Sequence, residues 1–161
     1  MARFLLKIIC PVVLISCIQE RPGNKKPDES SEDAVVEKFL ASYYDDMSAR
    51  DWQKYRTYFW DDATITTAWQ KPGDSAVRVH VITIDEFIEE TPRGPDSQPV
   101  FREQMKSASI EIKHDLATAW VEYNAEFGKP DSLMKWSGID VFSFLKNDGE
   151  WRITSLVFSN N

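Results

Sequence analysis

Four runs of alternating apolar and polar residues fill the second half of this 161-residue chain, and they restrict the fold more than any other feature. The runs lie near residues 103–113, 117–127, 134–146 and 150–158. Alternation with a period of two is typical of strands that bury one face. Short turns separate the runs, and the last of them, Asn147-Asp-Gly149, is a strong hairpin signal. The pattern predicts consecutive antiparallel strands.

The first half of the chain mixes helices with strands. Apolar residues at helical spacing between Val35 and Met47 predict a helix, and Ser30 or Ser31 can cap it. The other predicted elements are a helix over 51–59, strands over 63–69 and 77–82, and a short helix over 83–90 that opens with a capping box. This order predicts an α+β fold: a curved antiparallel sheet with about three N-terminal helices packed on its concave face.

The first residues have the composition of an export signal. A basic start precedes an apolar run that is shorter than the about 20 residues of a spanning helix. The tetrad LISC at 14–17 resembles the lipobox of bacterial lipoproteins, in which the cysteine is lipidated and becomes the mature N-terminus. The resemblance implies a signal peptide over 1–16, lipidation of Cys17, and a lipid anchor in the bacterial cell envelope, facing the periplasm or the exterior. A plain secretory signal or an uncleaved anchor is the alternative.

The stretch that follows Cys17 is polar and contains two prolines. Such a composition buries too little apolar surface to order itself, so we predict a flexible tether over 17–33. The folded domain is then expected over 34–159.

Charge and composition exclude several classes of function. The 19 basic and 26 acidic residues give a net charge of −7, so we expect no nucleic-acid partner. Two cysteines and two histidines without a CxxC motif make a disulfide scaffold and a structural metal site poor interpretations. No phosphate-binding loop or dinucleotide fingerprint is present, and we expect no cofactor.

Two stretches resemble the nuclear transport factor 2-like superfamily, which includes ketosteroid isomerases, scytalone dehydratases and SnoaL-type cyclases. The opening match is 47–52 with 58–65, and the closing match is 136–144 with 148–154. The resemblance covers roughly 34–158 and implies a cone-shaped α+β barrel. It does not imply one activity, because the superfamily contains both enzymes and inert binding modules.

The resemblance also places candidate site residues. Counted without gaps, the helix tyrosine of the isomerases falls on Tyr43, their late-strand aspartate on Asp140, and their base on Thr67. A threonine hydroxyl cannot take up a proton near neutral pH, which argues against ketosteroid isomerisation by that mechanism.

Asp140 is the strongest candidate on chemical grounds. It shares a strand face with Trp136 and two phenylalanines, and such surroundings raise the pKa of a carboxyl. A neutral Asp140 could donate a hydrogen bond or act as a general acid, with His80 as a possible base. The alternative roles are structural: a satisfied carboxylate for Asp140, core packing for Tyr43 and a solvated strand position for His80.

Three functions remain open at this point. The first is a small, partly apolar ligand held by Tyr43, Thr67, Trp136 and Asp140. The second is an enzyme of the isomerase, dehydratase or cyclase type. The third is a structural or partner-docking domain with a filled cone. Both faces of 136–145 are apolar, which favours a homodimer that covers the outer face.

Overall fold

The computed structural model describes residues 31–69 and 75–160. Three α-helices, six strands and two short 3-10 turns follow one another. In chain order they are α1 Glu32–Ala49, α2 Trp52–Arg56, β1 Phe59–Trp69, β2 Arg78–Thr83, α3 Ile84–Glu90, the turns Thr91–Arg93 and Pro95–Ser97, β3 Val100–Lys113, β4 Leu116–Lys129, β5 Ser132–Asn147 and β6 Glu150–Asn160. The predicted α+β class is confirmed. The predicted signal peptide and Cys17 lie outside the described residues.

The six strands form one curved sheet in the order β2-β1-β6-β5-β4-β3. The consecutive pairs β1–β2, β3–β4, β4–β5 and β5–β6 are antiparallel, as the hairpin signals predicted, whereas β2 and β3 lie at opposite edges of the sheet. The expectation of a purely antiparallel sheet is wrong, because β1 pairs with β6 in parallel, with Ile65 opposite Leu156. No turn joins these two strands, so their relative direction leaves no local signal in the sequence.

Helix α1 is capped at both ends and lies on the sheet through one apolar face. The Ser31 hydroxyl accepts a hydrogen bond from the Ala34 N–H, and Arg50 ends the helix in the left-handed conformation at φ 60°. The buried face consists of Val36, Leu40, Tyr43, Tyr44 and Met47. Ring contacts between Tyr43 and Phe142, at 5.2 Å between centroids, join this face to the middle of β5.

The first turn of α1 is also tied to the far end of the chain. The Glu32 carboxylate accepts hydrogen bonds from Lys146 Nζ at 2.6 Å and from the Trp151 indole at 2.7 Å. Lys146 and Trp151 are opposite each other in the β5–β6 hairpin. These bonds attach the first turn of α1 to the β5–β6 hairpin. The helix begins at Glu32, two residues before the predicted domain start at 34.

Helix α2 is shorter than predicted. The sequence suggested a helix over 51–59, but the structure ends it at Arg56 and begins β1 at Phe59. The Tyr58 carbonyl accepts a hydrogen bond from the Ile153 N–H at 2.9 Å, and Phe59 is opposite Ile153. The residues that would have extended α2 therefore pair with β6 instead. None of the helices in the described ranges is long and apolar enough to cross a bilayer.

Alternation along the long strands separates an inner face, towards the helices, from an outer face. On β4 the buried residues are Ala117, Ala119, Val121, Tyr123 and Ala125. On β5 they are Gly138, Asp140, Phe142 and Phe144. Asp140 is therefore a polar residue in an otherwise apolar row, which is the position that the sequence indicated.

Candidate functional site

A cavity of about 110 Å³ lies between the helices and the inner face of the sheet. Helices, strands and one 3-10 turn all contribute to its wall. The lining residues are Tyr43, Met47, Tyr55, Ile65, Phe87, Pro95, Phe101, Glu103, Tyr123, Asp140, Leu156 and Phe158. Most of these side chains are aromatic or aliphatic, and Glu103 and Asp140 are the two carboxylic acids among them.

Asp140 is held in the cavity wall by β5 and is only 3% exposed. The Tyr44 hydroxyl donates a short hydrogen bond to its Oδ2. Burial raises the pKa of Asp140 to about 7, and the Tyr44 hydrogen bond opposes this rise because it favours the charged form. Asp140 therefore exchanges a proton near neutral pH, as the sequence analysis anticipated for a carboxyl among aromatic rings.

Glu103 is a second acid in the cavity, and the sequence analysis missed it. Burial raises its pKa to about 8, and the negative charge of Asp140 adds to the shift. Glu103 is half-buried, and among the described residues no side chain or backbone group hydrogen-bonds its carboxyl. The available signal was the alternation of Phe101, Glu103 and Met105, which predicts that Glu103 faces inward.

The backbone of Glu103 is fixed by α1. Its N–H donates to Ser48 Oγ at 2.9 Å, and the Ser48 hydroxyl donates back to the Glu103 carbonyl at 2.8 Å. This pair of hydrogen bonds holds β3 against the helix that carries Tyr43 and Tyr44. Ser48 thus fixes Glu103 through its backbone, whereas Tyr44 fixes Asp140 through its side chain.

Three tyrosines complete the polar part of the cavity. The hydroxyls of Tyr43 and Tyr55 are hydrogen-bonded at 2.8 Å, and the Tyr123 hydroxyl donates to Asn160 Oδ1 at 2.6 Å. Burial is the largest cause that raises the pKa of each of these tyrosines, so all three stay neutral at physiological pH. They can offer hydrogen bonds and ring faces but no charge.

Tyr123 reaches the cavity because its cross-strand neighbour is Gly138. A Cβ at Gly138 would lie 2.5 Å from the Tyr123 ring. The glycine therefore leaves the space that the ring occupies.

The other predicted site residues lie elsewhere. Thr67 and His80 are opposite each other on β1 and β2, half-buried on the inner face, and neither belongs to the cavity lining. Trp136 lines a separate hollow of about 330 Å³ with residues such as Arg102 and Asn124. The structure brings together Tyr43 and Asp140 but not Thr67, His80 and Trp136.

The cavity offers acids and aromatic rings but no base stronger than a carboxylate. None of its lining residues is a lysine, arginine or histidine. Within residues 31–69 and 75–160, no group of three His, Cys, Asp or Glu side chains is close enough to hold a metal ion. The site can donate hydrogen bonds when its acids are neutral, or attract positive charge when they are ionised.

A family model described as "Putative lumazine-binding" matches residues 31–159. The chain belongs to this family. The match covers nearly all of the described residues, and the fold is the nuclear transport factor 2-like fold that the sequence resemblance implied. No curated protein matches the chain.

Several solved structures share the fold of this chain. A protein of unknown function from Mycobacterium tuberculosis has a TM-score of 0.64 and 18% identity, over 81% of this chain and 72% of that one. A nuclear transport factor 2-like protein from Shewanella baltica has a TM-score of 0.59 and 18% identity, over 84% and 98%. A hexachlorocyclohexane dehydrochlorinase from Novosphingobium barchaimii has a TM-score of 0.63 and 12% identity, over 80% and 86%. At these identities the likeness concerns the fold alone.

The raised pKa of Glu103 predicts how stability depends on pH. The unfolded chain loses this proton near the ordinary glutamate pKa of about 4.3, whereas the folded chain keeps it up to about pH 8. The free energy of unfolding therefore falls as pH rises between these values. Glu103→Gln removes this loss, so the variant should match the wild type near pH 4 and exceed it by a few kcal/mol near pH 8.

Urea unfolding across this pH range measures the difference. Glu111→Gln, on the same strand but exposed, serves as the control and should change stability little at any pH. A constant difference between Glu103→Gln and the wild type would show that Glu103 has an ordinary pKa.

Proposed function

We propose that the domain binds a small, partly apolar molecule in the cavity between α1 and the sheet. One observation carries this proposal: the walls are aromatic and aliphatic, but two acids interrupt them, the half-buried Glu103 and the buried Asp140. Apolar walls with a few polar groups at fixed positions are typical of small-molecule sites. A domain that only needed a filled core would place apolar side chains at both positions, because removing a carboxyl from water costs free energy.

The volume of the cavity limits the ligand. An engineered cavity of about 150 Å³ accommodates benzene, so about 110 Å³ takes a molecule of a few heavy atoms. The family description names lumazine, which is a flat bicyclic ring. A ligand of that size requires the side chains at the cavity wall, such as Phe101 and Phe158, to move aside. Compact molecules are therefore the first to test.

Filling the cavity should abolish binding. Leu156 is buried and lines the cavity, so Leu156→Phe places a ring in the ligand space. We expect tert-butanol to bind the wild type weakly, to shift the NMR signals of the Ile65 methyl groups, and to leave the variant's signals unchanged.

The neighbouring residue provides the control. Val157 is 47% exposed on the outer face, so Val157→Phe adds the same volume outside the cavity and should bind tert-butanol like the wild type. Equal binding by all three proteins would place the ligand outside the cavity and contradict the proposal.

An enzyme of the isomerase, dehydratase or cyclase type is a second candidate. The observation that favours it is the pKa of Asp140 at about 7 and of Glu103 at about 8, because acids that titrate near the working pH transfer protons efficiently. Asp140, in its neutral form, would act as general acid. Chemical analysis of the ligand after incubation separates the two functions, since an enzyme returns it changed and a binding protein returns it intact.

We also propose that the protein is an exported lipoprotein, anchored to a bacterial membrane through Cys17. The support is the LISC tetrad at 14–17 after a short apolar run, followed by the polar stretch that leads to Ser31. Several acyl chains hold a protein durably on a bilayer, at about 0.8 kcal/mol per buried CH₂. The ligand would then come from the periplasm or the exterior.

The two cysteines of the chain provide a matched test of lipidation. In a bacterial host supplied with labelled palmitate, we expect the wild type and Cys10→Ala to incorporate the label and to partition into detergent. Cys17→Ala should do neither. Labelled Cys17→Ala protein would contradict the proposal.

The outer face of the sheet supports a homodimer. A row of three valines and one threonine crosses four neighbouring strands: Val81 on β2, Thr66 on β1, Val157 on β6 and Val141 on β5 are opposite one another. Trp120 on β4 continues the row opposite Val141 and is 58% exposed. A second copy that lies on this row would cover the tryptophan and the exposed valines.

A charge in this row should separate the two copies. We expect the wild type to sediment as a dimer and Trp120→Glu as a monomer with an unchanged circular dichroism spectrum. Glu89→Lys, a change of exposed charge on α3 and outside the outer face of the sheet, is the control and should remain dimeric. A monomeric wild type would contradict the homodimer.

A further inference from the structure

The cavity contains negative charge and ring faces but nothing positive. The Glu103 carboxyl lines it without a hydrogen-bond partner among the described residues, and the Asp140 carboxyl lines it with one oxygen bonded to Tyr44. We propose that the ligand is a compact organic cation with N–H donors, such as a protonated primary amine, and that its ammonium group lies against Glu103 and Asp140. This inference rests on the proposed ligand-binding function and names the chemical class of the ligand.

Among the described residues that line the cavity, no side chain is basic. The titratable side chains that face the two acids are Tyr43 and Tyr44 from α1, Tyr55 from α2 and Tyr123 from β4. The contributions of β1, α3, the 3-10 turn at 95–97 and β6 to the lining are apolar. An ammonium ion would supply both the positive charge and the donors that the Glu103 carboxyl lacks.

The aromatic walls favour the same class of ligand. In the wall, the Tyr55 ring contacts the Tyr43 ring at 5.0 Å between centroids and the Phe87 ring at 5.9 Å. Ring faces attract a cation, most strongly where water is excluded. Aliphatic groups of an amine can pack on the same rings, so both parts of the ligand find a matching surface.

Two other ligand classes fit less well. A metal ion usually needs more ligands than two carboxyls provide, and no third Asp, Glu, His or Cys side chain is near within the described residues. An anion would meet two acids and no basic side chain. A neutral ligand that accepts hydrogen bonds is compatible with the protonated acids, and pH distinguishes it from a cation.

The sign of the pH effect follows from the two pKa values. Below about pH 7 both acids are largely neutral and attract a cation weakly. As pH rises through about 7 and about 8 they ionise, and a bound cation is stabilised by their charge. Cation affinity should therefore increase with pH until both acids are ionised, whereas a neutral acceptor that needs protonated acids should bind more weakly.

Two probes of nearly the same shape test the inference. The tert-butylammonium ion differs from tert-butanol by an ammonium in place of a hydroxyl, and like a lysine side chain it stays protonated up to about pH 10. We titrate both into the full-length protein and follow the Ile65 methyl signals. Between about pH 6 and about pH 9 we expect the affinity for tert-butylammonium to rise at least about tenfold, and the affinity for tert-butanol not to rise.

Two variants test whether the pH-dependent gain in tert-butylammonium affinity depends on Glu103. Glu103→Gln keeps the shape of the side chain, so it should still bind tert-butanol but lose most of the pH-dependent gain for tert-butylammonium. Glu111→Gln, on the outward part of β3, should behave as the wild type.

The outcomes are distinct. If tert-butanol binds and tert-butylammonium binds no more tightly near pH 9, the cation inference is overturned and the proposed ligand-binding function stands. If neither probe binds, both are overturned. If the pH-dependent gain persists unchanged in Glu103→Gln, the cation does not bind at this pair and the inference is overturned.

Discussion

The packing of one aromatic helix face across the sheet determines most of this structure. Tyr43 and Tyr44 of α1 lie over the inner face, where Tyr43 contacts Phe142 and Tyr44 bonds to Asp140. The sheet must curve to wrap this face, and the space that α1 and α2 do not fill is the cavity. Apolar burial thus produces the fold and the candidate site together. Glu103 and Asp140 are the two acids in this otherwise mostly apolar layer.

These two acids affect the stability of the folded protein. A neutral Asp140 with a tyrosine donor is tolerable in an apolar layer, but a Glu103 carboxyl without a partner lowers the stability of the empty protein as it ionises. Its position between Phe101 and Met105, with the backbone fixed by Ser48, directs the Glu103 carboxyl into the cavity, as the proposed ligand-binding function requires.

The sequence predicted the parts of the fold that have local signals. The α1 helix with its Ser31 cap, the capping box at Thr83 and the hairpin at Asn147 were all evident, because caps and turns depend on a few adjacent residues. The parallel pairing of β1 with β6 was not, since it joins segments far apart in the chain. Asp140 and Tyr43 were found through a resemblance. Glu103 was not predicted, because the alternation on β3 indicates that it faces inward but not that a cavity lies there; the cavity depends on how distant segments pack.

The attachment of Glu32 to the β5–β6 hairpin also determines how the domain bears load. A pull on the chain before Ser31 first meets the bonds of Glu32 to Lys146 and Trp151. The force then passes into the two strands of the hairpin, through Lys146 and Trp151, and not directly through the turn of α1 that carries Tyr43 and Tyr44. Tension on the chain before Ser31 is therefore carried first by one end of the sheet. The hydrogen bond between Tyr44 and Asp140 does not lie on that path.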